Sequence, residues 1–272
     1  MTRLAGAHVL VTGGSSGIGL AVAERCVDRG AAVSIVARDP VRLESARRGL
    51  ALRRTGARAA AASADVTDPL ALRSALEALV DQHGPVDVLL TSAGEAHPGY
   101  FTELDDAAFR DQMEVDYFGT LHAVRAVVPP MIERGRGHLV LVASTVVFVG
   151  VYGYSAYAPA KHAVRGLAET LRPELKPHGV VVACAFPPDT ATPGFERENA
   201  RKPEVTRRIS AAIAPRAVDR VARAIIRGIE RDRLVITADP TTAALARGGG
   251  LVAPLVHWHV DRRVRDAGAP GR

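Results

Sequence analysis

The glycine run TGGSSGIG at 12–19 is the feature that most constrains this chain. The residues before it, 7–12 (AHVLVT), are apolar, β-branched toward their end, and read as a short buried strand. After Gly13, Gly17 and Gly19, residues 20–29 (LAVAERCVDR) read as a helix. Glycine lets the chain turn tightly and lets backbone approach a phosphate closely. The new helix adds free N–H groups and the positive end of its dipole. The spacing is GxxxGxG, and the flanking strand and helix set it apart from an ordinary turn. Cofactor contacts are expected at Gly13, Ser15, Ser16, Gly17, Ile18 and Gly19.

A second strand is predicted at 32–37, ending in Ala37 and followed by Arg38. An acidic residue at this place would hold the ribose 2′-hydroxyl of NAD and repel a 2′-phosphate. A guanidinium instead grips a 2′-phosphate through paired hydrogen bonds. The position therefore predicts NADPH over NADH, with Ser15 and Ser16 as further donors. Asp39, before Pro40, reads as the cap of the next helix. Asp65 follows an apolar stretch at 58–64 and carries two readings. It meets an adenine amino group, or it opens the turn into the next helix with Asp68 and Pro69.

A second constellation lies downstream. Residues 138–143 (HLVLVA) form a predicted strand with Ser144 at its carboxyl end, where ligands bind in open α/β sheets. Tyr157 and Lys161 lie four apart at the start of a helix and share its face. The lysine cation is expected to lower the phenol's pKa from its ordinary value near ~10. The phenol then donates a proton to a carbonyl oxygen as hydride arrives, and Ser144 hydrogen-bonds the same oxygen. Lys161 also reads as holding the nicotinamide ribose. A YxxxK pair alone would be a helix surface feature; the serine and the glycine loop turn it into ketone chemistry.

TGGSSGIG, ADV at 64–66, TSAG at 91–94, Ser144 and YAPAK at 157–161 resemble, in order, the short-chain dehydrogenase/reductase family over about residues 5–235. The resemblance implies Tyr157 as general acid, Lys161 on the ribose and Ser144 orienting the carbonyl. It implies Asp65 near adenine, Val66, Ala93, Gly94, Pro187 and Thr190 among the cofactor contacts, and Thr192 near the carboxamide. The family usually carries Asn where Thr91 and Asp116 stand. At the second position that Asn helps order a proton relay with the lysine, so Asp116 is expected in the catalytic group with an altered pH profile.

Three segments, at 113–124, 161–180 and 186–210 (FPPDTATPGFERENARKPEVTRRIS), are similar to the 3-ketodihydrosphingosine reductases, also called 3-dehydrosphinganine reductases. Those enzymes reduce the 3-keto group of a long-chain base with NADPH, which implies that ketone or a similar long-chain one as substrate. Segment 186–210 is expected as a mobile lid. Other readings are a reductase of a 3-oxoacyl thioester or hydroxysteroid, and a non-catalytic NADP(H)-binding sensor or scaffold.

Strand and helix patterns alternate from 7 to 236. This predicts an α/β, Rossmann-type doubly wound parallel sheet of about seven strands with helices on both faces. Further strands are placed at 58–63, 86–90, 180–185 and 233–237, and long helices at 68–82, 106–133 and 155–176. Residues 1–238 form the expected catalytic domain and 239–272 a tail. That tail is apolar but broken by Arg247, three glycines and Pro254, and LVAPLVHWHVDRRVR at 251–265 sets a tryptophan between apolar and basic stretches. It reads equally as shallow insertion at a membrane surface and as packing on its own domain or a partner subunit.

Cys26 and Cys184 read as buried free thiols in a reducing compartment. HWH at 257–259 is a poor metal site, and no metal is expected. The net charge of +6 comes with 4% aromatics and no reading motif, which argues against nucleic acid and fits NADPH and anionic lipid. The N-terminal apolar run is the first strand rather than a secretion signal. The expectation is a cytoplasmic enzyme, with peripheral membrane contact through the tail. The family resemblance implies a homodimer or homotetramer.

Overall fold

Val9 and Val11 face one side of the first strand and Leu10 the other, and all three are fully buried. A strand apolar on both faces needs cover on both. In this computed structural model, which describes residues 1–211 and 214–266, that cover is helical. Side chains at 249–257, 259 and 260 lie outside the description.

The first half runs β1 (His8–Thr12), α1 (Gly17–Asp28), β2 (Ala32–Ala37), α2 (Pro40–Leu52), β3 (Arg58–Ser63), α3 (Pro69–His83) and β4 (Val88–Thr91). Then come α4 (Asp106–Met113), α5 (Gly119–Glu133), β5 (Gly137–Val142), α6 (Tyr157–Leu175) and β6 (Val180–Phe186). The remainder is β7 (Thr190–Ala191), α7 (Pro193–Arg201), α8 (Glu204–Ser210), β8 (Arg216–Ala217), α9 (Val218–Glu230), β9 (Val235–Thr237) and α10 (Pro240–Asp266). Seven strands form one parallel sheet in the order β3-β2-β1-β4-β5-β6-β9, the architecture expected. One core packs under α1, α2 and α9, with Val22, Leu50 and Ile225 fully interior. The other packs under α3, α5 and α6, with Leu72, Met131 and Val164. Strand order reverses between β1 and β4, and ligands bind at the carboxyl side of such a switch point.

Three expectations change. The helix expected at 106–133 is interrupted by a π-helical turn, Glu114–Phe118. Wider turns of this kind cluster at functional sites, and this one holds the fully buried Asp116. The first helix begins at Gly17, so two glycines of the loop lie in its first turn. The tail, expected as an apolar stretch broken by Arg247, three glycines and Pro254 with no secondary structure assigned, is the single helix α10. Glycine lowers helix propensity without barring the conformation, and Asp239 secures the start: its Oδ1 accepts from Thr242 N at 3.0 Å. Trp258, 53% exposed, has the Arg262 guanidinium 5.8 Å from its ring, while His257 and His259 lie outside the described side chains. Among the described residues no helix is long and apolar enough to cross a membrane.

Both thiols are buried and free, and burial pushes each up to about 12. His138 is interior to β5, with Nδ1 2.8 Å from Thr2 Oγ1 and 3.7 Å from Asp232 Oδ1. Burial pushes this imidazole down to about 4 from its ordinary 6.5. The unfolded chain therefore takes up the proton first as pH falls. Stability from neutral His138 is full above 6.5 and lost as pH drops toward 4, by about 3 kcal/mol in total. Urea midpoints across that window are expected to fall with acidification, and less steeply in His138→Gln. Equal slopes would show that this imidazole does not carry the dependence.

Candidate active site

The loops after β1 and β4 meet in backbone contact. Gly13 has φ +69°, and a Cβ there would lie 2.6 Å from Ala93 N and from Ser92 O. A Cβ at Gly19 would lie 2.4 Å from the Gly13 carbonyl oxygen. No side chain larger than hydrogen fits either place. Ser16 precedes α1 in extended conformation, and its hydroxyl caps no N–H of the helix. The first turn thus presents its donors beside half-buried Ser15 and Ser16. Thr192 lies against the same loop: a Cβ at Gly17 would be 3.3 Å from its methyl group.

At the other end of the cradle, Arg38 Nη1 lies 3.7 Å from Asp65 Oδ2. Asp65 also makes the turn: its Oδ1 accepts from Thr67 N and Thr67 Oγ1, both at 2.9 Å. One oxygen serves the turn and the other faces the arginine. Val66 is buried, with its carbonyl 3.0 Å from His122 Nδ1 and its side chain against Gly119. Glycines with no room for Cβ, an uncapped helix start and an exposed guanidinium form a set that fits a dinucleotide.

Ile18, Gly94, Ser144, Tyr157, Lys161, Pro187, Thr190 and Thr192 line one cavity of about 630 Å³. That volume is in the range of small-molecule sites. Ser144 lies just beyond β5 and accepts from Val146 N at 3.4 Å, while Tyr157 and Lys161 open α6. Lys161 is 6% exposed. Its Nζ lies 3.2 Å from Asp116 Oδ1, donates to the Val142 carbonyl at 3.4 Å, and is 5.6 Å from the centre of the Tyr157 ring. Gln112 Nε2 donates to the other Asp116 oxygen at 2.8 Å and to the Glu95 carbonyl at 2.6 Å. A Cβ at Gly94 would lie 2.4 Å from Asp116 Oδ1 and 3.1 Å from Lys161 Nζ, so only glycine clears the ion pair.

This geometry corrects the expected tuning of the tyrosine. The phenol is held well above the ordinary 10, not below it. Burial is the largest cause, the Asp116 carboxylate the second, and a hydrogen bond with Ser144 pulls partly the other way. Lys161 pairs with Asp116 while standing 5.6 Å from the centre of the Tyr157 ring. Asp116 itself is raised by burial and drawn back by Lys161 and Gln112. The arrangement keeps Tyr157 protonated at neutral pH, the form a proton donor needs.

Reading the sequence missed Gln112 and a polar wall across the cavity: Tyr154, Asp189, Glu198 and Lys202. Tyr154 OH donates to Glu198 Oε1, and Lys202 Nζ lies 3.3 Å from the same oxygen. Three of the four fall in the 186–210 pattern, whose spacing was visible but whose side chains had no assigned partner. Among the described residues no cluster could hold a metal ion.

The short chain dehydrogenase family model matches residues 7–203. The chain belongs to the short-chain dehydrogenase family. It is 40% identical over 260 residues to a 3-ketodihydrosphingosine reductase of Dictyostelium discoideum, covering 90% of this chain and 78% of that one. It is 40% identical over 228 residues to a 3-dehydrosphinganine reductase of Danio rerio, covering 83% and 69%. A solved short-chain dehydrogenase from Sphingobium yanoikuyae, in complex with NADPH, superposes with TM-score 0.78 at 29% identity over 94% of this chain and 95% of that one. The chain is thus an oxidoreductase with a nicotinamide cofactor site.

Asp116→Asn removes the charge that raises Tyr157 and frees Lys161 to act on the phenol. Both effects favour phenolate, so the alkaline limb of ketone reduction is expected to move to lower pH. A limb that stays or moves upward would show that Asp116 does not set the tyrosine's titration.

Proposed function

We propose that this chain reduces the 3-keto group of 3-ketodihydrosphingosine, or of a closely similar long-chain ketone, with NADPH. The observation that carries the reading is Ser144, Tyr157 and Lys161 together on a cavity also lined by Val142, Val149, Phe195, Ile209 and Leu245. An apolar wall of this kind accepts an acyl chain, and the relatives named above support the sphingoid ketone.

When bound, the reduced nicotinamide supplies hydride to the carbonyl carbon. Tyr157 holds its proton at neutral pH and gives it to the carbonyl oxygen. Ser144, in hydrogen-bond reach of the phenol, orients that oxygen and spreads its developing charge. Lys161, fixed by Asp116, keeps its ammonium in the buried floor to hold the ribose. Gly13 to Gly19 cradle the pyrophosphate, with Ala93, Gly94, Pro187, Thr190 and Thr192 against the remainder of the cofactor. Arg38 takes the 2′-phosphate; it is 61% exposed and only loosely held by Asp65, which leaves it free to turn to a ligand. The basic end of α10, with exposed Trp258, Arg262, Arg263 and Arg265, supports peripheral contact with an anionic membrane from which a lipid substrate would come.

Tyr157→Phe is expected to lower turnover of the sphingoid ketone about hundredfold to ten-thousandfold with NADPH affinity retained. Full turnover in that variant would show that Tyr157 is not the proton donor. Arg38→Ala is expected to weaken NADPH about tenfold or more, measured by fluorescence titration, with NADH little affected. Equal losses for both cofactors would remove Arg38 from the 2′-phosphate.

A further inference from the structure

Two ion pairs stand at the cavity, and one half-buried carboxylate lies outside both. Asp116 and Lys161 form one pair, and Glu198 and Lys202 another at 3.3 Å. Lys202 is 2% exposed and fully enclosed: its Nζ is also 4.6 Å from the Phe195 ring centre and 6.0 Å from that of Tyr154. Asp189 remains. Its half-buried carboxylate lines the cavity, yet among the described residues it makes no hydrogen bond and no ion pair. Arg216 and Arg263 also line the cavity, but Lys202 is the cation whose charge reaches Asp189.

The backbone around this position is hydrogen-bonded. Asp189 lies three residues beyond β6, and its backbone carbonyl accepts from Arg216 N at 2.7 Å, beside the β7–β8 pairing. Thr190 Oγ1 donates to the Pro188 carbonyl at 2.6 Å. The carboxylate also shares the cavity with the reacting group. The Tyr154 and Tyr157 rings are 5.9 Å apart, Tyr154 donates to Glu198, and the charges of both Glu198 and Asp189 reach the Tyr157 phenol. A half-buried carboxylate without a partner is costly, and burial raises Asp189 accordingly. A cation from outside the protein would remove that cost.

We propose that Asp189, beside the Glu198–Lys202 pair, is the recognition site for a protonated amine carried by the substrate next to its ketone. The inference rests on the sphingoid-ketone reading above and goes further, because it names what separates a long-chain base from other long-chain ketones. A 3-keto long-chain base has its amine on the carbon adjoining the carbonyl. With the carbonyl oxygen between Ser144 and Tyr157, the ammonium falls within a few bond lengths of the phenol, in the cavity that Asp189 also lines. A 3-oxoacyl thioester or a steroid ketone brings no cation and leaves Asp189 unanswered.

The test compares wild type and Asp189→Asn, with NADPH, on the 3-keto long-chain base and on a ketone of equal chain length lacking the amino group. The variant is expected to lose about ten- to hundredfold in kcat/KM on the amino ketone and less than about twofold on the other. Equal losses on both, or no loss on either, would overturn the assignment. Calorimetry on NADP+-loaded wild type needs neither a variant nor turnover. A long-chain 2-amino alcohol is expected to bind at least about tenfold tighter than its N-acetyl derivative, and equal affinities would overturn the amine site. Tight amine binding in an enzyme that reduces only the amine-free ketone would uphold the site and overturn the sphingoid-ketone reading.

Discussion

A parallel sheet sends every strand toward one edge, and each return is a crossover on one face or the other. Everything functional in this chain follows from that edge. The reversal of strand order between β1 and β4 separates the crossovers there, and the two loops that leave the switch point run in backbone contact at Gly13, Ser92 and Ala93. A methyl group at Gly13 would force those loops apart, and one at Gly19 would strike the first loop's own backbone. The helix start they expose, the serine just beyond β5 and the tyrosine opening α6 then line one cavity.

Within that frame one buried ion pair sets the electrostatics. Lys161 and Asp116 are held by opposite devices: the lysine by a regular helix, the aspartate by a π-helical turn. A lone charge in this place would be strongly penalised, and the pair is tolerable because Gln112 and the Val142 carbonyl satisfy part of what remains. The arrangement occupies the lysine and leaves the phenol protonated. A protonated phenol is the form that can donate, although the raised pKa makes it a weaker acid than an unburied tyrosine.

Much of this was legible in the residues. Short continuous apolar runs placed the strands to within a few residues, because the central strands are buried on both faces. The glycine loop, Ser144, Tyr157 and Lys161 were legible because each sits beside a strand end or on one helical face. The π-helical turn was not: Glu114–Phe118 carries the same apolar spacing as the helices around it, and the extra residue answers to tertiary demands on Asp116 and Gly119. The continuous α10 was hidden by its glycines, which lower propensity without forbidding the helix. The polar wall was hidden for another reason. Tyr154, Asp189, Glu198 and Lys202 share no periodic face and meet only once α7 folds over the cavity.

The central claim is that this cavity delivers hydride and proton to the 3-keto group of a long-chain base. Isotope transfer tests it most directly. The protein is given NADPH deuterated at the transferable position and 3-ketodihydrosphingosine in detergent micelles, and the product is weighed by mass spectrometry. The expected result is one deuterium on the former carbonyl carbon, absent with Tyr157→Phe. Unlabelled starting ketone, alongside deuterium transfer to a short-chain β-ketoester, would contradict the account.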